Sequence, residues 1–270
     1  MTKPATGTKT GTTLSAFLGN RLEIAQPASG HRVGTDAALL SACLSPSAGE
    51  TVYDLGAGIG AAGLGLAVRC PQCRLVLVEI DPAIAALAAG NAARNGLAER
   101  VTTLEADVTQ RPAKGNALLP GTADHVIMNP PFHLPGTIRP APDAYRAGAH
   151  VHGQADEEAW ILCALALLRA KGSLALIHRA DALPRLLAGL DRRFGDIRVK
   201  PVQARIGLPA VRLLIRAVKG SRAPFLLLPP LILHDEDGGF TDEADALHRG
   251  EAAIDWQDRP GAGSTFQKRR

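Results

Sequence analysis

The phrase Val52-Tyr53-Asp54-Leu55-Gly56-Ala57-Gly58-Ile59-Gly60 limits what this chain can fold into more than any other stretch. An apolar strand pattern runs into a carboxylate, glycine then recurs at every second position, and a helical pattern follows to Arg69. Glycines in such a turn let the backbone come close to a ligand at the carboxyl end of a strand, where open α/β sheets hold cofactors. The alternation continues downstream. Arg74 to Val78, ending at Glu79, reads as a strand, and Pro82 to Asn95 as a helix closed by Gly96. Val101 to Glu105, Asp124 to Met128 and Ser173 to His178 read as further strands, the last preceded by a helix around Glu157 to Leu168. Strands alternating with helices predict an α/β fold with a parallel sheet and right-handed crossovers.

On either side of that block the pattern changes. Leu22 to Gln26 reads as a short strand, and Gly34-Thr35-Asp36 precedes an apolar helix over Ala37 to Leu44 that Thr35 or Asp36 is placed to cap. Asp181 to Leu190 reads as helix. Ile197 to Arg205 and Val211 to Lys219 read as an antiparallel pair joined through Gly207-Leu208-Pro209. Residues 225–250 add a Leu/Pro-rich stretch, a turn over Asp235 to Gly239 and a short helix. The expected organisation is a flexible N-terminal arm over residues 1–18, a single domain over 19–250 and a flexible basic tail over 251–270 ending in Lys268-Arg269-Arg270.

At 270 residues the chain is long enough for one substantial core. A net charge of +4 permits an anionic partner, because Lys and Arg can exchange counterions with phosphates. Of the four cysteines only Cys70 and Cys73 are closely spaced. No second pair completes a zinc site, so they read as packing and turn residues and no metal is expected. No apolar run is long enough to span a bilayer, and Met1 to Thr13 lacks the apolar core of an export signal, so no membrane partner and a cytoplasmic location are the expectations. The oligomeric state is left open, with a preference for the monomer.

The acids decide between two readings of the glycine loop. Gly58, Gly60 and Gly63 also satisfy the dinucleotide spacing G-x-G-x-x-G, with Glu79 at a suitable distance. Asp54, however, lies where a pyrophosphate would be repelled and an ammonium attracted, and a third acid, Asp107, follows the next strand. Three carboxylates at three successive strand ends suit S-adenosylmethionine, a cationic nucleoside bearing an amino acid. Asp54 is assigned to the methionine ammonium, Glu79 to the ribose hydroxyls, Asp107 to the adenine amino group, and Gly56, Gly58 and Gly60 to the cofactor cradle.

The strand Asp124 to Met128 runs directly into Asn129-Pro130-Pro131-Phe132. Two prolines fix the turn and donate no backbone hydrogen bonds, which leaves carbonyls to accept from a substrate. A conjugated amino nitrogen is a poor nucleophile, and hydrogen bonds accepted from both its N–H groups help it rehybridise as it attacks. The Asn129 side-chain oxygen and the Pro130 carbonyl are the candidate acceptors, Pro131 fixes the turn, and Phe132 is a stacking face for a planar substrate. Holding nitrogen, methyl and sulfonium in line is most of such catalysis.

Together, Asp54 to Gly60 and Asn129 to Phe132 resemble the class I amino-methyltransferases. With Val33-Gly34-Thr35-Asp36-Ala37-Ala38-Leu39-Leu40 upstream, the chain looks more narrowly like the bacterial enzymes that N6-methylate the adenosine beside the anticodon of valine tRNA, over about Gly19 to Gly250. The resemblance implies a doubly wound, mostly parallel seven-stranded Rossmann-like sheet with an antiparallel edge pair, S-adenosylmethionine as cofactor, and an RNA substrate, tRNA before others. It also implies that Gly34, Thr35 and Asp36 help to close the cofactor pocket and that Asn129 borders it. Asn-Pro-Pro-Phe followed by His133 resembles ribosomal-RNA guanine-N2 methyltransferases as well, and the Asn-Pro-Pro core resembles enzymes that methylate a glutamine amide of release factors. Candidate RNA-binding cations lie in the loop with Arg139, Tyr145, Arg146, His150 and His152, and on the antiparallel pair at Arg198, Lys200, Arg205, Arg212, Arg216 and Lys219.

Overall fold

A computed structural model of the chain describes residues 11–28, 33–131 and 155–257. Five strands form its parallel centre: β3 (Thr51–Leu55), β4 (Arg74–Glu79), β5 (Val101–Glu105), β6 (Ala123–Met128) and β7 (Leu168–Arg179). Their order is β5-β4-β3-β6-β7, so the chain winds outward from β3 in one direction and resumes beside it with β6 in the other. Next come β9 (Ala210–Lys219), antiparallel to β7, and β8 (Phe194–Gln203), antiparallel to β9. The seven strands and the antiparallel pair are therefore as expected. Two further short strands, β10 (Leu226–Leu227) and β11 (Leu231–Ile232), run parallel along the outer edge of β8 and make the sheet nine-stranded among the described residues. They arise where the sequence offers only a Leu/Pro-rich stretch, and their two-residue length leaves no periodicity to read.

Both faces of the sheet are covered, because alternate strand residues are apolar in each direction. Val52 and Ile127 pack on one side with α1 (Thr35–Ser41), α2 (Ala61–Arg69), α3 (Pro82–Arg94) and α6 (Asp242–His248). Tyr53, Leu55, Val126 and Met128 pack on the other with α4 (Ala155–Leu167) and α5 (Leu183–Leu190). No helix of the described residues is long and apolar enough to cross a membrane.

Three expectations are corrected. The arm expected over residues 1–18 contains a strand, β1 (Thr12–Phe17), in a hairpin with β2 (Leu22–Pro27). This hairpin folds because Leu18, Leu22 and Ile24 enter the core, with Leu18 and Asn20 taking the left-handed backbone of the turn. The tail expected from residue 251 is tied down to Trp256 at least: the Ile254 amide donates to the Ala42 carbonyl and the Trp256 indole to the Cys43 carbonyl, at 2.9 and 2.8 Å. Neither Thr35 nor Asp36 caps α1. Its N-cap is Gly34, whose carbonyl accepts from the amides of Ala37 and Ala38, and the helix begins at Thr35 rather than Ala37. The two side chains turn outward to tertiary partners instead.

Candidate active site

Leu55 is paired with Met128, so the segments that leave β3 and β6 emerge side by side, about 4.8 Å apart, at the carboxyl edge where the winding reverses. One segment is the glycine loop and the other Asn129-Pro130-Pro131. Glu79 ends the neighbouring β4, and Asp107 follows β5. The sequence-predicted site residues in the described segments therefore converge on one edge. Phe132, His133 and the candidate cations at 139–152 lie outside the described residues.

Gly56, Gly58 and Gly60 all take left-handed backbone, at φ of +65°, +55° and +86°. They serve different ends. A Cβ on Gly56 would lie 2.2 Å from Cη2 of Trp160, which α4 presses under the loop. A Cβ on Gly58 would meet nothing within 4 Å, so at Gly58 the loop is open to a ligand. Gly60 is the N-cap of α2 and has no side chain to cap it.

Asp54 supplies that cap from the strand. Its Oδ2 accepts the Gly63 amide at 2.9 Å in the first turn of α2, and the absence of a side chain at Gly63 admits it, since a Cβ there would lie 2.8 Å from the same oxygen. Asp54 is 2% exposed. Burial pushes its carboxyl up to about 7; the Gly63 amide opposes the shift and the nearby Glu79 charge adds to it. Glu79 holds the loop from the other side: one oxygen accepts from the Gly58 amide at 2.9 Å, the other from the amides of Ile80 and Asp81 at 2.9 and 3.0 Å. Asp107 accepts from the amide and hydroxyl of Thr109 at 2.8 and 2.7 Å, so part of its capacity is spent on its own turn.

Asn129 is different. Its Oδ1 is buried and has no hydrogen-bond partner among the described residues, an expensive state for an amide oxygen unless a ligand completes it. Thr35 and Asp36 sit at the β7 and β9 end of this edge. The Thr35 hydroxyl is 3.1 Å from Nε2 of His248, and the Asp36 carboxylate accepts from Nε of Arg212 at 3.0 and 3.2 Å. One strand from Asn129, Glu157 at the start of α4 takes two hydrogen bonds from Arg185 at 2.9 and 3.0 Å beside the buried His178, whose imidazole is pushed down by burial.

The cations expected to grip RNA from the antiparallel pair are mostly committed inside the fold. Arg198 and Arg216 share Asp196, at 2.8 and 3.4 Å; Arg212 holds Asp36; Lys219 donates to the carbonyls of Leu165 and Leu168 at 2.7 and 2.5 Å; Lys200 is buried. Arg205, at the turn, is exposed. Two contributors escaped the sequence reading. Trp160 gave no local sign of its loop contact. Ile80, 61% exposed between Glu79 and Asp81, is a large apolar side chain left in water at a strand end, and its place between two acids could have marked it. Cys70 and Cys73 are free thiols at the end of α2, and burial pushes both upward.

The open backbone at Gly58, the exposed Ile80 face, the carboxylates of Glu79 and Asp107 and the unsatisfied Asn129 oxygen fit a nucleoside cofactor with an acceptor group beside it. The family model for the methyltransferase small domain matches residues 28–205. A tRNA1(Val) (adenine(37)-N6)-methyltransferase of Porphyromonas gingivalis is 33% identical over 198 residues, 68% of this chain and 75% of its own length. The enzyme of the same name from Aeromonas hydrophila is 30% identical over 214 residues, 78% of this chain and 86% of its own. Among solved structures, one described as a predicted O-methyltransferase from Agrobacterium tumefaciens superposes with a TM-score of 0.69 at 33% identity, over 81% of this chain and 98% of that one.

Proposed function

Since the chain belongs to the methyltransferase small domain family and is an S-adenosylmethionine-dependent methyltransferase, we propose that it methylates the N6 amino group of an adenine in tRNA, beside the anticodon. The observation that carries this reading is the buried, unpartnered Oδ1 of Asn129 at the edge that also holds the glycine loop. An amide oxygen is a suitable acceptor for an amino N–H. It cannot remove a proton from a hydroxyl, so the site favours nitrogen as the methyl acceptor rather than oxygen. The relatives named for adenine-N6 methylation of tRNA supply the substrate class.

When bound, the cofactor supplies an electrophilic methyl group. The chain's part is to bind and orient. Gly56, Gly58 and Gly60 shape the cradle, Glu79 accepts from the ribose hydroxyls, Asp107 accepts from the cofactor's adenine amino group, and Ile80 offers that ring an apolar face. Asp54 favours the methionine ammonium through its charge beneath the loop, and Gly34, Thr35 and Asp36 close the pocket. Asn129 Oδ1 and the Pro130 carbonyl accept from the two N–H groups of the target adenine, Pro131 holds the turn, and Phe132 stacks on the base. The acting unit is taken to be a cytoplasmic monomer.

The test is incubation with tritiated S-adenosylmethionine and total RNA from a strain lacking the gene, followed by nucleoside analysis. Label in tRNA as N6-methyladenosine is expected, and Asn129→Ala should lower kcat by roughly 10²–10³ while cofactor affinity stays within a few-fold. Label as N2-methylguanosine in ribosomal RNA, or in protein after ribonuclease treatment, would overturn the substrate assignment.

A further inference from the structure

The glycine loop is held from a direction the site itself does not reveal. Helix α3 and its C-cap place Asn91 and Asn95, one turn apart, against the edge of β2 that β1 leaves open. Oδ1 of Asn91 accepts the Ala25 amide at 2.8 Å, and its Nδ2 donates to the Ala25 carbonyl at 2.9 Å. Asn95 repeats the pattern with Glu23, at 2.9 Å for both bonds. Four helical residues rise about 6 Å and two strand residues about 6.7 Å. The two side-chain amides therefore match alternate residues of β2 and pair with them as a neighbouring strand would.

The two asparagines differ in one bond. The second hydrogen on Nδ2 of Asn91 goes to the carbonyl of Ile59 at 3.0 Å, whereas that of Asn95 goes to the Asn91 carbonyl at 2.8 Å, within α3. Ile59 lies between Gly58 and Gly60, both left-handed. Glycine loses more conformational freedom on ordering than any other residue, so a loop with glycine at alternate positions needs an external hold if it is to be preformed for a ligand. Asn91 is 0% exposed, and both its N–H hydrogens are used.

We propose that Asn91 is a positioning residue for the cofactor loop: by clamping the Ile59 carbonyl to the docked β1–β2 hairpin it sets the loop in its binding conformation, while Asn95 serves only to dock the hairpin. This rests on the reading of that loop as the S-adenosylmethionine cradle. The hairpin is then part of the cofactor site without touching the cofactor. Its loss would be felt first as weakened cofactor binding.

Asn91→Ala and Asn95→Ala are compared in the full-length protein by thermal melting, by calorimetric titration with S-adenosylmethionine, and by steady-state kinetics. Asn91→Ala should raise the cofactor Kd and KM roughly tenfold, the effect of about one lost hydrogen bond, with kcat within about threefold. Asn95→Ala should lower Tm and leave Kd within about twofold. Where Asn91→Ala does not yield folded protein, Asn91→Ser, which keeps a short polar group toward Ala25 and cannot reach Ile59, takes its place in the same comparison. Equal Kd values for the two sites, whether both raised or both unchanged, would overturn the proposal. Failure of the unsubstituted protein to bind S-adenosylmethionine would instead overturn the assignment of the loop, and the role of Asn91 with it.

Discussion

Gly56 and Gly58 share a left-handed backbone, yet substituting them should fail in different ways. Alanine at Gly58 meets no neighbour, so its direct cost is the backbone strain of about 1–2 kcal/mol. Gly58→Ala should therefore fold, and should lower cofactor affinity at least about tenfold because the new methyl group enters the open cradle. Alanine at Gly56 adds a collision with Trp160 to the same strain and should lose the cooperative melt itself. A Gly56→Ala protein that melts like the unsubstituted chain would show that Trp160 yields easily. Asp54 titrates with a consequence of definite sign. Its folded-state value of about 7 lies above the ordinary 3.8 of an aspartate, so between them the folded chain binds the extra proton. The contribution of Asp54 to stability therefore falls as pH rises through that window and levels off above about 7. The charged form present above about 7 is the one that attracts a cation, so S-adenosylmethionine affinity should increase between about pH 6 and about pH 8, and Asp54→Asn should flatten that rise. A profile equally steep in the variant would assign the titration elsewhere. The positions of Asp54, Glu79 and Asn129 at or next to strand ends were legible in the sequence because the apolar run of each strand is local. Trp160 was not, because nothing near it in the chain records that it packs beneath Gly56.

Among the elements, the antiparallel pair shows where charge patterning misleads. Six cations on β8, β9 and their turn read as a phosphate grip, but a charge that packing takes out of water must be paired or hydrogen-bonded. Asp196, with its left-handed backbone at φ of +49°, stands between Arg198 and Arg216, and Asp36 reaches Arg212 from a helix 176 residues earlier in the chain. The partners of Arg212 and Arg216 are invisible to sequence spacing. The pairs are structural, so Arg198→Ala and Arg216→Ala should lower Tm while the slope of log affinity for RNA against log salt stays unchanged. Arg205→Ala, at the exposed turn, should reduce that slope by about 1. Filter binding across a salt series checks both, and a reduced slope for Arg216→Ala would return that side chain to the RNA interface.

At the scale of the whole molecule, the parallel sheet followed from the alternation of strands and helices, but the limits of the folded unit did not. Thr12 to Phe17 reads Thr-Thr-Leu-Ser-Ala-Phe, with only Leu14 and Phe17 large and apolar and no period-two alternation between them, too faint a pattern to separate a strand from an arm. What makes it part of the fold is tertiary: Leu22 and Ile24 are fully enclosed by side chains of the sheet's helical layer, and Asn91 and Asn95 complete the edge of β2. A chain begun at Val33 would forfeit about 1.5–3 kcal/mol for each of the three buried side chains Leu18, Leu22 and Ile24. It would also strip Asn91 of both its bonds to Ala25, leaving only the one to Ile59, at a cost of about 1–3 kcal/mol. Domains of this kind have only about 5–15 kcal/mol of net stability to lose. The truncated chain should therefore show a broad, non-cooperative thermal transition by circular dichroism and bind S-adenosylmethionine weakly even at low temperature. A sharp transition close to that of the full chain would mean that the parallel sheet carries its own stability and that the hairpin was added to it, in which case cofactor affinity alone should fall.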